Sequence, residues 1–168
     1  MHSKTLTLFI GAAALAVCVS SLHAQMRHAG QTATGVPVEI HLQVGAAKYN
    51  ANGTGECRVA ERGSIYGVPA SQFTVSHSAA GESLSVTRWQ PKNGADMATM
   101  VVSTGGKRYE VDTVKASPKK DTKGSAQTTL QRNGSGATLT IAAVAGGGEK
   151  MTGMIKCGGV TPIQAEGG

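Results

Sequence analysis

The stretch 36–44, VPVEIHLQV, alternates apolar and polar side chains along its whole length. Val38, Ile40 and Leu42 fall on one side of an extended chain, while Glu39 and His41 fall on the other. A period of two is typical of a β-strand with one buried face and one wet face. We therefore predict a strand here that covers a hydrophobic core.

Similar runs recur along the chain and are rich in Val, Thr, Ile and aromatic residues, which suit a half-buried pleated surface. They are 53–59, 72–77, 83–89, 98–103, 107–114, 126–132, 137–144 and 151–157. No stretch after residue 24 keeps the apolar spacing of a helix, and the chain contains 23 glycines, which disfavour helices. The pattern predicts an all-β fold, an antiparallel β-sandwich of about eight or nine short strands, with an open β-barrel as the alternative.

Dipeptides that accept positive φ angles predict where tight turns separate these strands. They are Asn52-Gly53, Asn93-Gly94, Asn133-Gly134 and Gly105-Gly106. The third lies almost directly between two strand patterns and predicts a hairpin.

The first 24 residues have the layout of a bacterial-type secretory signal peptide: a basic start at Lys4, then an apolar run from Leu6 to Val17. That run is too short for a bilayer core, which needs about 20 residues. Cleavage after Ala24 would make Gln25 the first residue of an exported chain, periplasmic or secreted. We expect no transmembrane span in that mature chain.

An alternative start lies at Cys18, because Leu15-Ala16-Val17-Cys18 approximates a lipoprotein box. Lipidation of Cys18 would anchor the protein to a membrane. Val17, however, stands where such a box carries Gly, Ala or Ser. After the signal segment we expect a flexible leader over 25–35, a β-domain over 36–160 and a loose tail over 161–168.

Removal of 24 residues leaves a chain of 144, the size of one domain. Because Lys4 leaves with the signal, 15 Lys and Arg then face 10 Asp and Glu, a net charge of +5. This charge is well short of a nucleic-acid-binding profile, so we expect no nucleic acid partner.

Two cysteines remain after cleavage, Cys57 and Cys157, in a chain bound for an oxidising compartment. Alternation places Cys57 on the same face as Val59, and Cys157 on the same face as Ile155. A buried structural disulfide between two strands follows as a prediction, whether the strands are neighbours or face each other across the core.

The two cysteine strands share a form, since Gly53-Thr54-Gly55-Glu56-Cys57 is matched by Met151-Thr152-Gly153-Met154-Ile155-Lys156-Cys157. Over roughly 53–157 this pattern resembles the small mycobacterial lipoprotein-antigen family. The resemblance implies a β-sandwich closed by a similar disulfide, and it brings no catalytic residues. Members of that family are lipid-anchored, and the departure at Val17 leaves the anchor open here.

Sites for catalysis are not indicated. The histidines His28, His41 and His77 lie far apart and have no Cys or acidic neighbour at metal-ligand spacing, so we predict no metal, no cofactor and no catalytic residue. A Ser-His-Asp site assembled from separate strands would need a base such as His77 beside a Ser or a carboxylate. A small periplasmic hydrolase, or an enzyme inhibitor, is the alternative function.

A binding surface is predicted from exposed charge and aromatic residues. Its candidates are Tyr66, Arg88, Trp89, Lys115, Lys119, Lys120 and Lys123. The lysines fall in a Pro- and Lys-rich segment, 115–124, that suits contact with anionic lipid or polysaccharide. The expected function is an exported cell-envelope protein, non-catalytic, that binds an envelope protein, glycan or lipid.

Overall fold

A computed structural model of the chain describes residues 35–115 and 121–163. The strands in these ranges are β1 Val36–Val44, β2 Ala47–Ile65, β3 Val68–Ala79, β4 Glu82–Pro91, β5 Met97–Thr104, β6 Lys107–Asp112, β7 Ser125–Asn133, β8 Gly136–Val144, β9 Lys150–Cys157 and β10 Thr161–Pro162. The predicted all-β class is confirmed. The signal segment with Cys18, Ala24 and Gln25, the leader up to residue 34, Lys119 and Lys120 lie outside the described residues.

The strands form one antiparallel path in the order β6-β5-β4-β3-β2-β1-β9-β8-β7. β2 is shared between the two halves of this path, because residues 47–55 pair with β1 and residues 56–65 pair with β3. At the far ends of the path, the backbones of Asp112 and Lys123 exchange two hydrogen bonds of 2.8 Å. The sheet therefore curls into a nearly closed, barrel-like form, towards the open-barrel alternative.

Apolar side chains from both halves fill the interior. On β1, Val38, Ile40, Leu42 and Val44 are all buried, as their period of two predicts. Ile40 lies opposite Ile155 of β9, which in turn lies opposite Leu139 of β8. The largest fully buried side chains include Tyr49, Phe73, Ile40, Met100, Leu139, Ile141, Met151 and Ile155. Burial of each such side chain stabilises the fold by about 1.5–3 kcal/mol before entropy is counted.

The predicted disulfide is confirmed. Cys57 of β2 and Cys157 of β9 are bonded, buried, and 6.3 Å apart at their Cα atoms. β1 lies between β2 and β9 in the sheet, so the bond does not join adjacent strands. Cys57 lies just after Gly55, where β2 stops pairing with β1 and begins to pair with β3. The bond therefore connects the two halves of the sheet.

The turn predictions are confirmed at three of the four dipeptides. Gly105-Gly106 joins β5 to β6, Gly134 lies in the β7–β8 turn and Gly94 lies between β4 and β5, all with positive φ. The prediction of a turn at Asn52-Gly53 is wrong, because this dipeptide lies inside β2. A side chain at Gly53 would approach the His77 ring, with its Cβ 3.2 Å from Nε2. Glycine at this position therefore leaves room for the His77 ring to lie close to the backbone of β2.

The tail predicted to be loose from residue 161 begins with ordered structure. Thr161–Pro162 forms β10, which runs parallel to β2. The Thr161 hydroxyl donates a 3.1 Å hydrogen bond to the carbonyl of Cys57, and the Ile163 amide donates a 2.8 Å bond to the carbonyl of Val59. The ordered domain therefore extends past residue 160, and residues 164–168 lie outside the described residues.

Candidate binding surface

The structure brings together only some of the predicted binding residues. Tyr66 lies at the tip of the β2–β3 hairpin, Trp89 is half-buried on the outer face of β4, and Lys115 is exposed after β6. Arg88 is buried on the inner face of β4, and Lys123 pairs with Asp112 before β7 begins.

Arg88 was predicted on the surface, and this prediction is wrong. It follows Leu84 and Val86 on the inner face of β4 and is 6% exposed. Its Nη2 lies 2.6 Å from Oδ2 of Asp96, and its Nε donates to the Thr128 hydroxyl of β7 at 3.1 Å. The ion pair and the hydrogen bond compensate for removal of the guanidinium from water. Arg88 therefore links β4 to β7 across the core.

Lys123 was predicted as a binding residue of an exposed loop; it is exposed, and it lies at the seam between the two ends of the sheet. Besides its backbone pairing with Asp112, its Nζ lies 3.1 Å from Oε2 of Glu110. Arg108 donates to the other oxygen of Glu110 at 2.7 Å. Hydrogen bonds from Arg108, which has the larger effect, and from Lys123 lower the pKa of the Glu110 carboxyl. Lys123 therefore belongs to the closure of the barrel.

The histidines have structural partners. His77 is buried, and its Nδ1 lies 2.7 Å from the Tyr49 hydroxyl. Burial, with the nearby charge of Glu82, raises the pKa of Tyr49. Across residues 35–115 and 121–163, no Ser or carboxylate is hydrogen-bonded to the His77 ring, and no three His, Cys, Asp or Glu side chains gather as metal ligands.

His41 is exposed on the outer face of the sheet, as its alternation predicts. Its Nε2 lies 2.8 Å from Oε1 of Glu39, whose second oxygen accepts a 3.0 Å bond from Lys156. Hydrogen bonds to His41, which has the larger effect, and to Lys156 lower the pKa of Glu39. These three residues form a solvated surface network, which contributes little to stability.

The β2–β3 turn carries the two most exposed large apolar side chains of the described residues. Tyr66 is 67% exposed and Val68 is 46% exposed; the third exposed large apolar residue, Met154 of β9, is 38% exposed. Tyr66 and Gly67 have φ angles of 50° and 78°. Two positive φ angles are the signature of a type I′ turn, whose first position favours Asn, Asp or Gly. An aromatic residue in this position is therefore unusual.

A small apolar cluster separate from the main core supports this turn. Ile65, Ala70 and Val114 are buried in it, with Trp89 and Met97 half-buried against them. Exposed Tyr66 and Val68 lie between Ile65 and Ala70 of this cluster in the chain. We call the turn and the cluster together the hairpin end; it consists of Ile65, Tyr66, Val68, Ala70, Trp89, Met97 and Val114.

Cations surround the hairpin end. Arg62 and Lys92 line an open groove of about 460 Å³ beside Pro69 and Ala70, and Lys115 directly follows Val114. Within the described ranges none of these three cations forms an ion pair. The carboxylate of Glu61 lines the same groove and lies 3.8 Å from Nη1 of Arg132. The positive charge at the hairpin end is therefore left available to a partner.

Only part of this arrangement was predicted from the sequence. Tyr66, Trp89 and Lys115 were named as binding candidates, whereas Val68, Arg62 and Lys92 were missed. The sequence feature that could have predicted this tight turn is Tyr66-Gly67. It forms such a turn only if the aromatic residue takes a left-handed conformation. Such a conformation is rare outside Gly, Asn and Asp, so the sequence predicted a loop from Gly63 to Pro69 and not a two-residue turn.

Comparison with known proteins finds no family model, curated protein or solved structure that matches this chain. The resemblance to the mycobacterial lipoprotein-antigen family stays a prediction. In the part of the chain that the structure describes, no helix is long and apolar enough to cross a bilayer.

Proposed function

We propose that this chain is an exported, non-catalytic protein of the cell envelope, and that it binds its partner through the hairpin end. The observation that carries the proposal is the exposure of Tyr66 and Val68 beside Arg62, Lys92 and Lys115, which form no ion pair within residues 35–115 and 121–163. Exposed apolar side chains that gather at one place mark interaction sites more often than scattered ones do. The rest of the barrel would serve as a rigid support for this surface.

Export is supported by the signal pattern of residues 1–24 and by the disulfide, since such bonds persist in oxidising compartments. We expect N-terminal sequencing of the protein recovered from outside the cytoplasm to begin at Gln25. A chain that begins with a lipid-modified Cys18 would contradict cleavage after Ala24 and place the protein on a membrane. Recovery of the folded protein only from the cytoplasm, with Met1 retained, would contradict export.

The non-catalytic assignment is supported by the surroundings of His77. Its Nδ1 is engaged by the Tyr49 hydroxyl, and the interior of the barrel around the pair is filled by side chains such as Phe73 and Val75. A hydrolase of the Ser-His-Asp kind needs the base hydrogen-bonded to a nucleophile beside a concave site. The geometry therefore favours binding over hydrolysis.

The proposed role can be tested by sedimentation of the purified mature chain with isolated cell envelopes. We expect the wild type to sediment with the envelopes and Tyr66→Asn to remain mostly in the supernatant, because the substitution removes the most exposed apolar side chain. Met154→Thr is the matched control, since it removes an exposed apolar side chain from β9. Equal retention of both variants, or no retention of the wild type, would contradict binding through the hairpin end.

A further inference from the structure

We infer that the partner of the hairpin end is an anionic lipid surface; the inference rests on the proposed binding function. Its shape is the first argument. A two-residue turn at the tip of two strands is convex, so Tyr66 and Val68 do not enclose a small ligand. They are placed to enter the headgroup layer of a bilayer.

The side-chain chemistry is the second argument. Tyrosine has an apolar ring and a polar hydroxyl, and it is enriched where a membrane meets water. Val68 adds an apolar side chain next to it, with Trp89 half-buried in the same hairpin end. Such a tip suits the boundary between headgroups and acyl chains, where a side chain can contact the acyl chains with its apolar part and water with its polar part.

The charges are the third argument. Arg62, Lys92 and Lys115 have no ion pair in the described residues. Asp96 is paired with Arg88 at 2.6 Å, and Glu61, which lines the groove with Arg62 and Lys92, lies 3.8 Å from Arg132, so the cations outnumber the free acidic groups. Basic side chains within about 8 Å of an anionic surface are attracted to it at physiological salt. The unpaired cations would therefore hold the apolar tip against acidic lipid.

The backbone of the turn gives an independent indication. A second hairpin turn, between β3 and β4, has nearly the same φ angles, 51° at Ala80 and 80° at Gly81. There the first position carries a small side chain, so the turn geometry does not require an aromatic residue. Tyr66 at φ 50° and Ala80 at φ 51° are both unfavourable for folding. Because the turn itself requires no ring at this position, we ascribe the exposed ring of Tyr66 to contact with a partner.

The experiment uses sedimentation with vesicles of phosphatidylcholine, with or without phosphatidylglycerol. We expect the mature chain to bind the anionic vesicles about tenfold or more tightly than the neutral ones, and to be released by high salt. The chain has a single Trp, and it lies in the hairpin end, so its fluorescence should shift to shorter wavelength on binding. Neutral and anionic vesicles bound equally would contradict the role of the cations.

Two variants test the placement of the site. Tyr66→Asn should weaken binding about tenfold and still fold, because Asn is favoured at this turn position. The triple variant Arg62→Gln, Lys92→Gln and Lys115→Gln should weaken binding to anionic vesicles by about tenfold and lower its salt dependence. Met154→Thr is the control for apolar loss, and a variant with Lys48, Lys107 and Lys150 changed to Gln is the control for charge loss. Equal losses in a control and its test variant would overturn the placement.

The outcome also separates this inference from the proposed function. Binding to cell envelopes without binding to anionic vesicles would show that the partner is a protein or a glycan, and it would overturn the lipid inference alone. Absence of binding to both would overturn the inference and the proposed function together.

Discussion

Replacement of Cys57 and Cys157 by Ser is expected to lower the free energy of unfolding of the mature protein by about 3–5 kcal/mol. The bond closes a loop of 100 residues, and the chain-entropy model assigns about 4.7 kcal/mol to a loop of that length. Domains of this size have a net stability of about 5–15 kcal/mol, so the variant would be close to the limit of folding. Urea unfolding followed by circular dichroism measures the difference.

Reduction provides the control for this prediction. A reducing agent should destabilise the wild type by about the same amount as the double substitution and leave the stability of the variant unchanged. Thiol titration of the exported, denatured protein should find no reactive thiol if the chain begins at Gln25. Two reactive thiols per chain would contradict the disulfide.

Replacement of Arg88 by Met is expected to lower the free energy of unfolding by about 3 kcal/mol. Methionine fills a similar volume but leaves the Asp96 carboxylate and the Thr128 hydroxyl without their common partner. Removal of one member of a buried ion pair typically costs about 3–5 kcal/mol. Partial exposure of Asp96 to water places this case at the lower end of that range. Denaturant unfolding at neutral pH gives the value.

A double-mutant cycle isolates the pair. Asp96→Asn should destabilise as well, because it leaves a buried guanidinium without a counter-charge, and the double variant should cost less than the sum of the two single changes. Arg108→Met is the matched control: its ion pair with Glu110 is exposed, so we expect a loss below about 1 kcal/mol. Equal losses for Arg88→Met and Arg108→Met would contradict the importance of the buried pair.

The strands were predictable from the sequence because a period of two is a local property of the chain. VPVEIHLQV is the clearest case, since β1 begins and ends at the predicted residues. The disulfide followed from the same alternation together with the cysteine count. Arg88 is the opposite case: it lies on the inner face with Leu84 and Val86, whereas its charge led to the prediction of an exposed position. The decisive partner, Asp96, lies on a different segment.

The hairpin end was predicted only in part, because its members come from four separate segments. Tyr66 and Val68 belong to one turn, while Trp89 and Val114 reach the same place from β4 and from the residues after β6. Nothing in the order of the chain indicates that these segments meet. That Arg62, Lys92 and Lys115 form no ion pair among the described residues could be recognised only from the tertiary structure.

Alternation in the sequence established the class of fold, most strand positions and the inward direction of both cysteines, since each depends on neighbours within a few residues. The order of strands did not follow from it. β9 pairs with β1 although more than a hundred residues separate Cys157 from Val38, and β2 bends to pair with both β1 and β3. Alternation specifies which face of a strand is buried, but the choice of neighbouring strand depends on how all the buried faces fill one interior. That packing brings together residues far apart in the chain, and with it the Arg88 link and the hairpin end.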